Sequence, residues 1–209
     1  MRSASAPTHY GGTTMRVWWT SVLLSEHAGD RSYEPLVERA RNAKNHMELG
    51  DALLELHKHA YEQDDPEHPV HKHLDDILQH HAKHNEKMLN DAFHYLIGSH
   101  SVRSQDARRT TPHMEHVFGL LMRTPTVSAI EHIGKFAEHG NFDAFAAAHG
   151  WLARNPHLHH HFAMHILPHL NRELSRKSVL ANPKHHYLKT IKSDYEDVAR
   201  SIERIHGGE

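Results

Sequence analysis

The strongest constraint on the fold is a series of short amphipathic helices that come in pairs along the chain. First helices are predicted to begin near residues 34, 70, 112 and 141, and second helices near residues 48, 85, 126 and 157. The mean spacing of about 35 residues is typical of two-helix repeats, whose units complete their cores only against their neighbours. The sequence therefore predicts an all-α protein of about four stacked helical hairpins, similar to an α-solenoid. A plain helical bundle is the alternative.

The clearest hairpin spans Pro125 to Pro156. Its apolar residues recur at three-residue steps from Val127 to Phe136, which places them on one face of a helix. Gly140 stands where the C-terminus of that helix needs a left-handed residue. The proline after Asn155 ends the second helix, so this segment is predicted to be one complete hairpin.

The two ends of the chain differ from this pattern. Residues 1–32 hold Arg2 and Arg16, many Ser and Thr, and no acidic residue before Glu26, which is typical of an organellar transit segment or of an irregular N-terminal arm. Residues 33–176 form the predicted hairpin array, with a kink expected at Pro168. Residues 177–209 are predicted to be a linker followed by an amphipathic helix from about residue 185 to residue 205.

Composition excludes several classes of function. The chain has no cysteine, which excludes disulfides, thiolate metal sites and cysteine nucleophiles. Lys and Arg number 24 against 26 Asp and Glu, so there is no net basic field to drive nucleic-acid binding. The longest apolar run, residues 17–24, is shorter than the roughly 18–20 residues of a membrane span. We therefore expect a soluble or peripheral protein without a membrane span.

Histidine is the outlier, with 27 residues spread along the chain. The series His157, His161, His165 and His169 has i, i+4 spacing, and His80 and His84 repeat it on another helix. Such imidazoles suit zinc or copper, and an iron site would also need acidic partners. A histidine-rich metal-binding bundle, including an oxygen-activating enzyme, is therefore the alternative function.

Most histidines are interpreted as surface residues, and the remaining polar features are interpreted in the same way. His132, His139 and His149 belong to this surface group, as do the acidic pairs Asp64-Asp65 and Asp75-Asp76. Because unperturbed imidazoles titrate near pH 6.5, solubility or assembly should depend steeply on pH between about 6 and 7.5.

Catalytic motifs are missing from the sequence. There is no Gly-x-Ser-x-Gly, phosphate-loop or dinucleotide-binding pattern, which favours a protein without enzymatic activity and without a cofactor. Trp151 is predicted to be a buried anchor. Trp18 and Trp19 are residues of the kind that anchor a protein interface, and we predict that they bind a partner.

A basic cluster lies in the long polar segment 99–111. Arg103, Arg108 and Arg109 are close together there and form a second candidate contact with a partner. These arginines are also the basis of the third functional alternative, which is that the protein binds RNA.

Two segments resemble degenerate pentatricopeptide-type hairpins. In the segment that begins at Val127, Gly140 follows thirteen residues later, as the turn glycine of that family does. In the segment from Tyr33, the run Ala52–Leu56 is similar to the second-helix core of the family, and Pro66 follows fourteen residues after Ala52. The resemblance implies a mitochondrial accessory subunit that holds partner proteins, most specifically a pentatricopeptide-like subunit on the F1 sector of an ATP synthase. Organellar RNA binding is the other use that the resemblance implies.

Overall fold

The computed structural model describes residues 33–63, 65–98, 108–176 and 183–206, and every regular element in these residues is helical. The ten α-helices are α1 (Glu34–Arg41), α2 (His46–Glu62), α3 (Pro69–His84), α4 (Glu86–Gly98), α5 (Pro112–Arg123), α6 (Val127–Ala137), α7 (Phe142–Arg154), α8 (His159–His165), α9 (Leu167–Leu174) and α10 (Pro183–His206). The all-α prediction is confirmed. In this part of the chain no helix combines the length and the apolar character that crossing a membrane requires.

Side-chain caps fix where the helices begin. The Thr111 hydroxyl accepts a hydrogen bond from a backbone N–H in the first turn of α5, and Pro112 occupies a first-turn position, where no N–H is needed. Thr126 caps α6 in the same way. The Asn141 side chain accepts from two backbone N–H groups of α7. These local signals explain why the predicted helix starts agree with the structure within a few residues.

Gly140 makes the turn between α6 and α7. Its φ is +76°, in the left-handed region that favours glycine, as the sequence predicted. A Cβ at this position would lie 2.8 Å from Oε1 of Glu173, a buried carboxylate on α9 that also accepts a 2.9 Å hydrogen bond from Arg176. The backbone conformation therefore favours glycine here, and the Glu173 carboxylate would have to shift to admit a Cβ.

The hairpins stack in two pairs. In the N-terminal pair (α1–α4), α1 packs on α3 and α2 packs on α4; in the C-terminal pair (α5–α9), α5 packs on α7 and α6 packs on α8. Within each pair, first helices contact first helices and second helices contact second helices, and α2 also packs on α3. At the junction of the pairs the packing changes, because α5 packs against both α2 and α4.

Trp151 anchors the C-terminal pair. Its side chain is fully buried, as predicted, and its indole N–H donates a 2.8 Å hydrogen bond to the carbonyl oxygen of Thr124. That bond joins α7 to the end of α5. In the same pair, the rings of Phe118 on α5 and Phe136 on α6 meet edge to face with centroids 5.3 Å apart.

The predicted kink at Pro168 is confirmed as a break between two helices. A 3₁₀ turn at Pro156–Leu158 leads into α8, and Ile166 separates α8 from α9. Proline lacks the N–H that would bond to the carbonyl of Met164, and its ring clashes with that carbonyl in a continuous helix.

The C-terminal helix α10 packs on α7, α8 and α9. Leu188 and Ile191 are buried in that contact. Towards the C-terminus the burial of its apolar stripe decreases: Ile202 is half-buried, and Ile205 is 73% exposed. The apolar face of α10 therefore continues beyond the surface that it covers.

Candidate functional site

The predicted partner-binding residues are only partly covered by the structure. Trp18, Trp19 and Arg103 lie outside the described residues. Arg108 and Arg109 are exposed just before α5, and their roles in binding a partner or RNA stay predictions.

The predicted metal ligands occur as separate pairs. The rings of His80 and His84 are 4.9 Å apart between centroids on exposed positions of α3, and those of His161 and His165 are stacked at 6.5 Å on α8. His157 is exposed in the 3₁₀ turn. Across the residues that the structure describes, no three histidine or acidic side chains are placed to share one metal ion. Metal binding by these pairs stays a prediction.

A cluster of polar side chains lies instead at the junction of the two hairpin pairs. We call it the polar seam and define it as His57 on α2, His71 and Asp75 on α3, and His116 and Arg123 on α5. It brings together side chains from three of the four hairpins. The sequence interpretation did not identify this cluster.

The centre of the polar seam is a pair of imidazoles. Nδ1 of His57 lies 3.2 Å from Nδ1 of His116. His57 is buried, and burial, together with His116, Arg123 and His71, lowers its pKa to about 3. Burial, together with Lys58 and His113, lowers the pKa of His116 to about 4. Both rings are therefore neutral near pH 7.

Close packing holds the His57 ring in place. A Cβ on Gly119 would lie only 2.2 Å from Nε2 of His57. The absence of a side chain at this position of α5 therefore makes room for the imidazole between α2 and α5. The Tyr61 ring then packs edge-on against His116, with centroids 5.4 Å apart.

An ion-pair network extends the polar seam. Nη1 of Arg123 donates to Oδ1 of Asp75 at 2.8 Å, and Arg154 on α7 lies 3.5 Å from the other carboxylate oxygen. Arg123 also lies 3.3 Å from Nδ1 of His71. The interpretation of Asp75 as solvated charge was therefore wrong, because this carboxylate joins α3 to α5 and α7.

Two histidines that were assigned to the surface are structural. His132 is 3% exposed, and its Nε2 lies 2.9 Å from Oδ1 of Asn90 on α4. Burial, together with His94 and Lys135, lowers its pKa to about 4. The surface assignment of His132 was wrong because its position faces α4.

His149 is half-buried and joins α7 to α10. Its Nε2 lies 2.8 Å from Oδ2 of Asp194, and its Nδ1 lies 3.2 Å from the Tyr187 hydroxyl. The surface assignment of His149 was therefore also wrong. These two contacts hold the first half of α10 against α7, and Ile205 near the C-terminal end of the helix is left exposed.

Comparison with known proteins adds no further assignment: the chain matches no protein-family model, no curated protein and no solved structure.

Proposed function

We propose that this chain is a non-catalytic accessory subunit that binds partner proteins, and that the projecting end of α10 is one of its contacts. The observation that carries the proposal is the apolar stripe of α10. It is buried at Leu188 and Ile191 and then continues to Ile205, which is 73% exposed. We infer that a second protein covers this end of the stripe, in the way that an amphipathic helix lays its apolar face against a partner.

The stacked hairpins support the same function. Repeated two-helix units present extended surfaces that are used for binding macromolecules. Large apolar side chains are exposed on other helices as well: Met47 on α2 is 50% exposed, and Met164 on α8 is 63% exposed. The finer form of the proposal, a subunit of a mitochondrial assembly such as the F1 sector of an ATP synthase, comes from the resemblance to pentatricopeptide-type hairpins.

A co-purification experiment on the full chain tests the proposal. Wild type and Ile205→Lys would be recovered from native cells in parallel, and the proteins that accompany them would be quantified by mass spectrometry. We expect at least one partner in stoichiometric amount with wild type, and its loss with Ile205→Lys because a buried lysine at the contact costs several kcal/mol.

The matched control is Ser193→Lys, which adds the same charge at an exposed position of the same helix. It should retain the partner. Equal recovery of the partner with Ile205→Lys would contradict a contact at α10, and the absence of any stoichiometric partner would contradict the accessory function as a whole. Recovery that depends on RNA, measured by adding ribonuclease, would favour RNA binding instead.

A further inference from the structure

Histidines make two of the side-chain contacts that join the N-terminal hairpin pair to the C-terminal hairpin pair. Nδ1 of His57 on α2 lies 3.2 Å from Nδ1 of His116 on α5. Nε2 of His132 on α6 lies 2.9 Å from Oδ1 of Asn90 on α4. His57 and His132 are buried in these contacts. Three imidazoles therefore lie between helices α1–α4 on one side and helices α5–α9 on the other.

Neither contact can accept further protons without losing stability. One proton joins the facing Nδ1 atoms of His57 and His116, because one ring donates and the other accepts. Protons on both atoms would place two donors 3.2 Å apart with no acceptor between them. Nε2 of His132 donates to the Asn90 amide oxygen, so a further proton would enter at Nδ1 and leave a charge on a buried ring.

The charges around the three rings also disfavour protonation. Among the described residues, the ionisable groups that bear on them are basic: His71 and Arg123 for His57, Lys58 and His113 for His116, and His94 and Lys135 for His132. The carboxylate of the polar seam, Asp75, is already held by Arg123 at 2.8 Å and by Arg154 at 3.5 Å. Burial and these neighbours lower the pKa of each ring, to about 3 for His57 and to about 4 for His116 and His132.

We propose that the junction of the two hairpin pairs is an acid-sensitive contact, which opens when His57, His116 and His132 take up protons and separates α1–α4 from α5–α9 while both pairs stay folded. Each half has only one further buried histidine among the described residues, His81 in α3 and His185 in α10. Acid therefore acts on the junction through three imidazoles and on each half through one. The junction is separate from the proposed partner contact on α10, so either proposal can fail without the other.

Proton linkage sets the size of the effect. In the open junction each ring regains the ordinary imidazole pKa of about 6.5, so the equilibrium constant for opening rises as the pH falls from 6.5 towards the lower pKa of the closed state. At pH 5 the rise is about 30-fold for each ring and about 10⁴-fold for the three rings together. Opening should take up nearly three protons, which is close to a thousandfold change in the equilibrium constant per pH unit.

Single-molecule fluorescence energy transfer in the full chain measures the opening. The chain has no cysteine, so introduced cysteines are labelled specifically. Gln79→Cys on α3 with Asn171→Cys on α9 reports the distance across the junction, and all label positions are exposed. Met47→Cys with Gln79→Cys reports the N-terminal pair, and Ala153→Cys with Asn171→Cys reports the C-terminal pair.

We expect the distance across the junction to increase at a higher pH than either distance within a pair, and to recover when the pH returns to 7.5. An increase of all three distances at the same pH would overturn the proposal, because it would show unfolding of the whole chain. A distance across the junction that stays constant down to pH 4 would also overturn it.

A double variant tests whether the three imidazoles cause the opening. His116→Asn with His132→Gln keeps a polar amide near each lost nitrogen but cannot take up the protons, so the uptake on opening should decrease from nearly three protons to about one. The matched control, His80→Asn with His186→Gln, removes two exposed imidazoles and should leave the uptake unchanged. An unchanged uptake in the folded test variant would overturn the assignment. If that variant does not fold, the order of the three distance changes in the otherwise wild-type chain still decides the question.

Discussion

The buried His132 should make the free energy of unfolding decrease as the pH falls from about 6.5 to about 4. Its imidazole is 3% exposed, and burial, His94 and Lys135 together lower its pKa from 6.5 to about 4. Below pH 6.5 the unfolded chain therefore binds a proton that the folded chain does not. The contribution of His132 to stability is complete above the unfolded pKa and is lost as the pH falls towards the folded pKa.

The size of the effect follows from the two pKa values. A tenfold difference in proton affinity between the folded and unfolded chain corresponds to about 1.4 kcal/mol, so the full difference in stability between pH 7.5 and a pH below 4 is about 3 kcal/mol. At pH 5, where the unfolded imidazole is almost fully protonated and the folded one is mostly neutral, the loss is about 2 kcal/mol. Whole domains have a free energy of unfolding of about 5–15 kcal/mol, so a loss of about 2 kcal/mol from one histidine is a substantial part of it.

Urea unfolding of wild type and His132→Gln between pH 7.5 and pH 4.5 measures this contribution. Other groups also change stability with pH, and the comparison of the two proteins removes their common effect. Wild type should lose about 2 kcal/mol more than the variant between pH 7.5 and pH 5. The control is His186→Gln, which removes an exposed imidazole from α10. Parallel stability curves for wild type and His132→Gln would refute the reasoning.

Three further predictions concern packing. Gly140→Val should lower the free energy of unfolding by about 2–4 kcal/mol, because a β-branched residue at φ +76° is strained and its Cβ would meet Glu173. A melting temperature equal to that of wild type would contradict the left-handed turn at this position. Gly134→Ala should lower the free energy of unfolding, measured with urea, by about 1 kcal/mol net, although alanine has the better helix propensity. The reason is that its Cβ would lie 2.9 Å from the carbonyl oxygen of His165. A stabilised variant would contradict close contact of α6 and α8. Arg123→Met should lower the free energy of unfolding by about 1–2 kcal/mol because it removes the ion pair with Asp75, and it should lower it by less when Asp75 is already replaced by Asn. If the losses of the two single variants simply add in the double variant, the two residues are not coupled.

The helices and turns could be predicted because their signals are local. Thr111 before a proline, Asn141 after a glycine and the pair Asn155-Pro156 each act within one helical turn, so short stretches of sequence determine where the helices begin and end. Gly140 belongs to the same class. The all-α architecture followed from these signals together with the apolar periodicity.

The spacing of the buried histidines within their helices indicates burial, but the large number of histidines in the chain made this spacing hard to recognise. His57 lies four residues after Leu53 and three before Ala60, and His132 lies three after Ala129 and four before Phe136. Both therefore fall on the apolar stripe of a helix. With 27 histidines in the chain, composition suggested surface residues, whereas position on the stripe would have identified these two.

The polar seam itself could not be derived from the repeat. A regular period predicts that each hairpin stacks on the next in the same way, but α5 packs against α2 and α4. The contact of His57 with His116 depends on this change of packing, whereas the contact of Asp75 with Arg123 joins two first helices, α3 and α5. Their partners are 59 and 48 residues apart in sequence, far beyond the range of local signals.

The histidines with lowered pKa values also change the expected response to pH. Composition predicts a steep dependence between about 6 and 7.5. The lowered pKa values of His57, His116 and His132 place their protonation at more acidic pH, so their share of the response should appear below pH 6.5. Light scattering across pH 4 to 7.5 would separate the two ranges.

The most direct test of the accessory function is the mass of the native particle that contains this chain. Mass photometry and blue-native electrophoresis of a gently solubilised extract, with the endogenous chain identified by antibody, would measure it. The proposal predicts a discrete particle much larger than the 24.1 kDa of the chain, with fixed stoichiometry and subunits that remain associated through purification. Recovery of all the chain as a free 24.1 kDa monomer would contradict it.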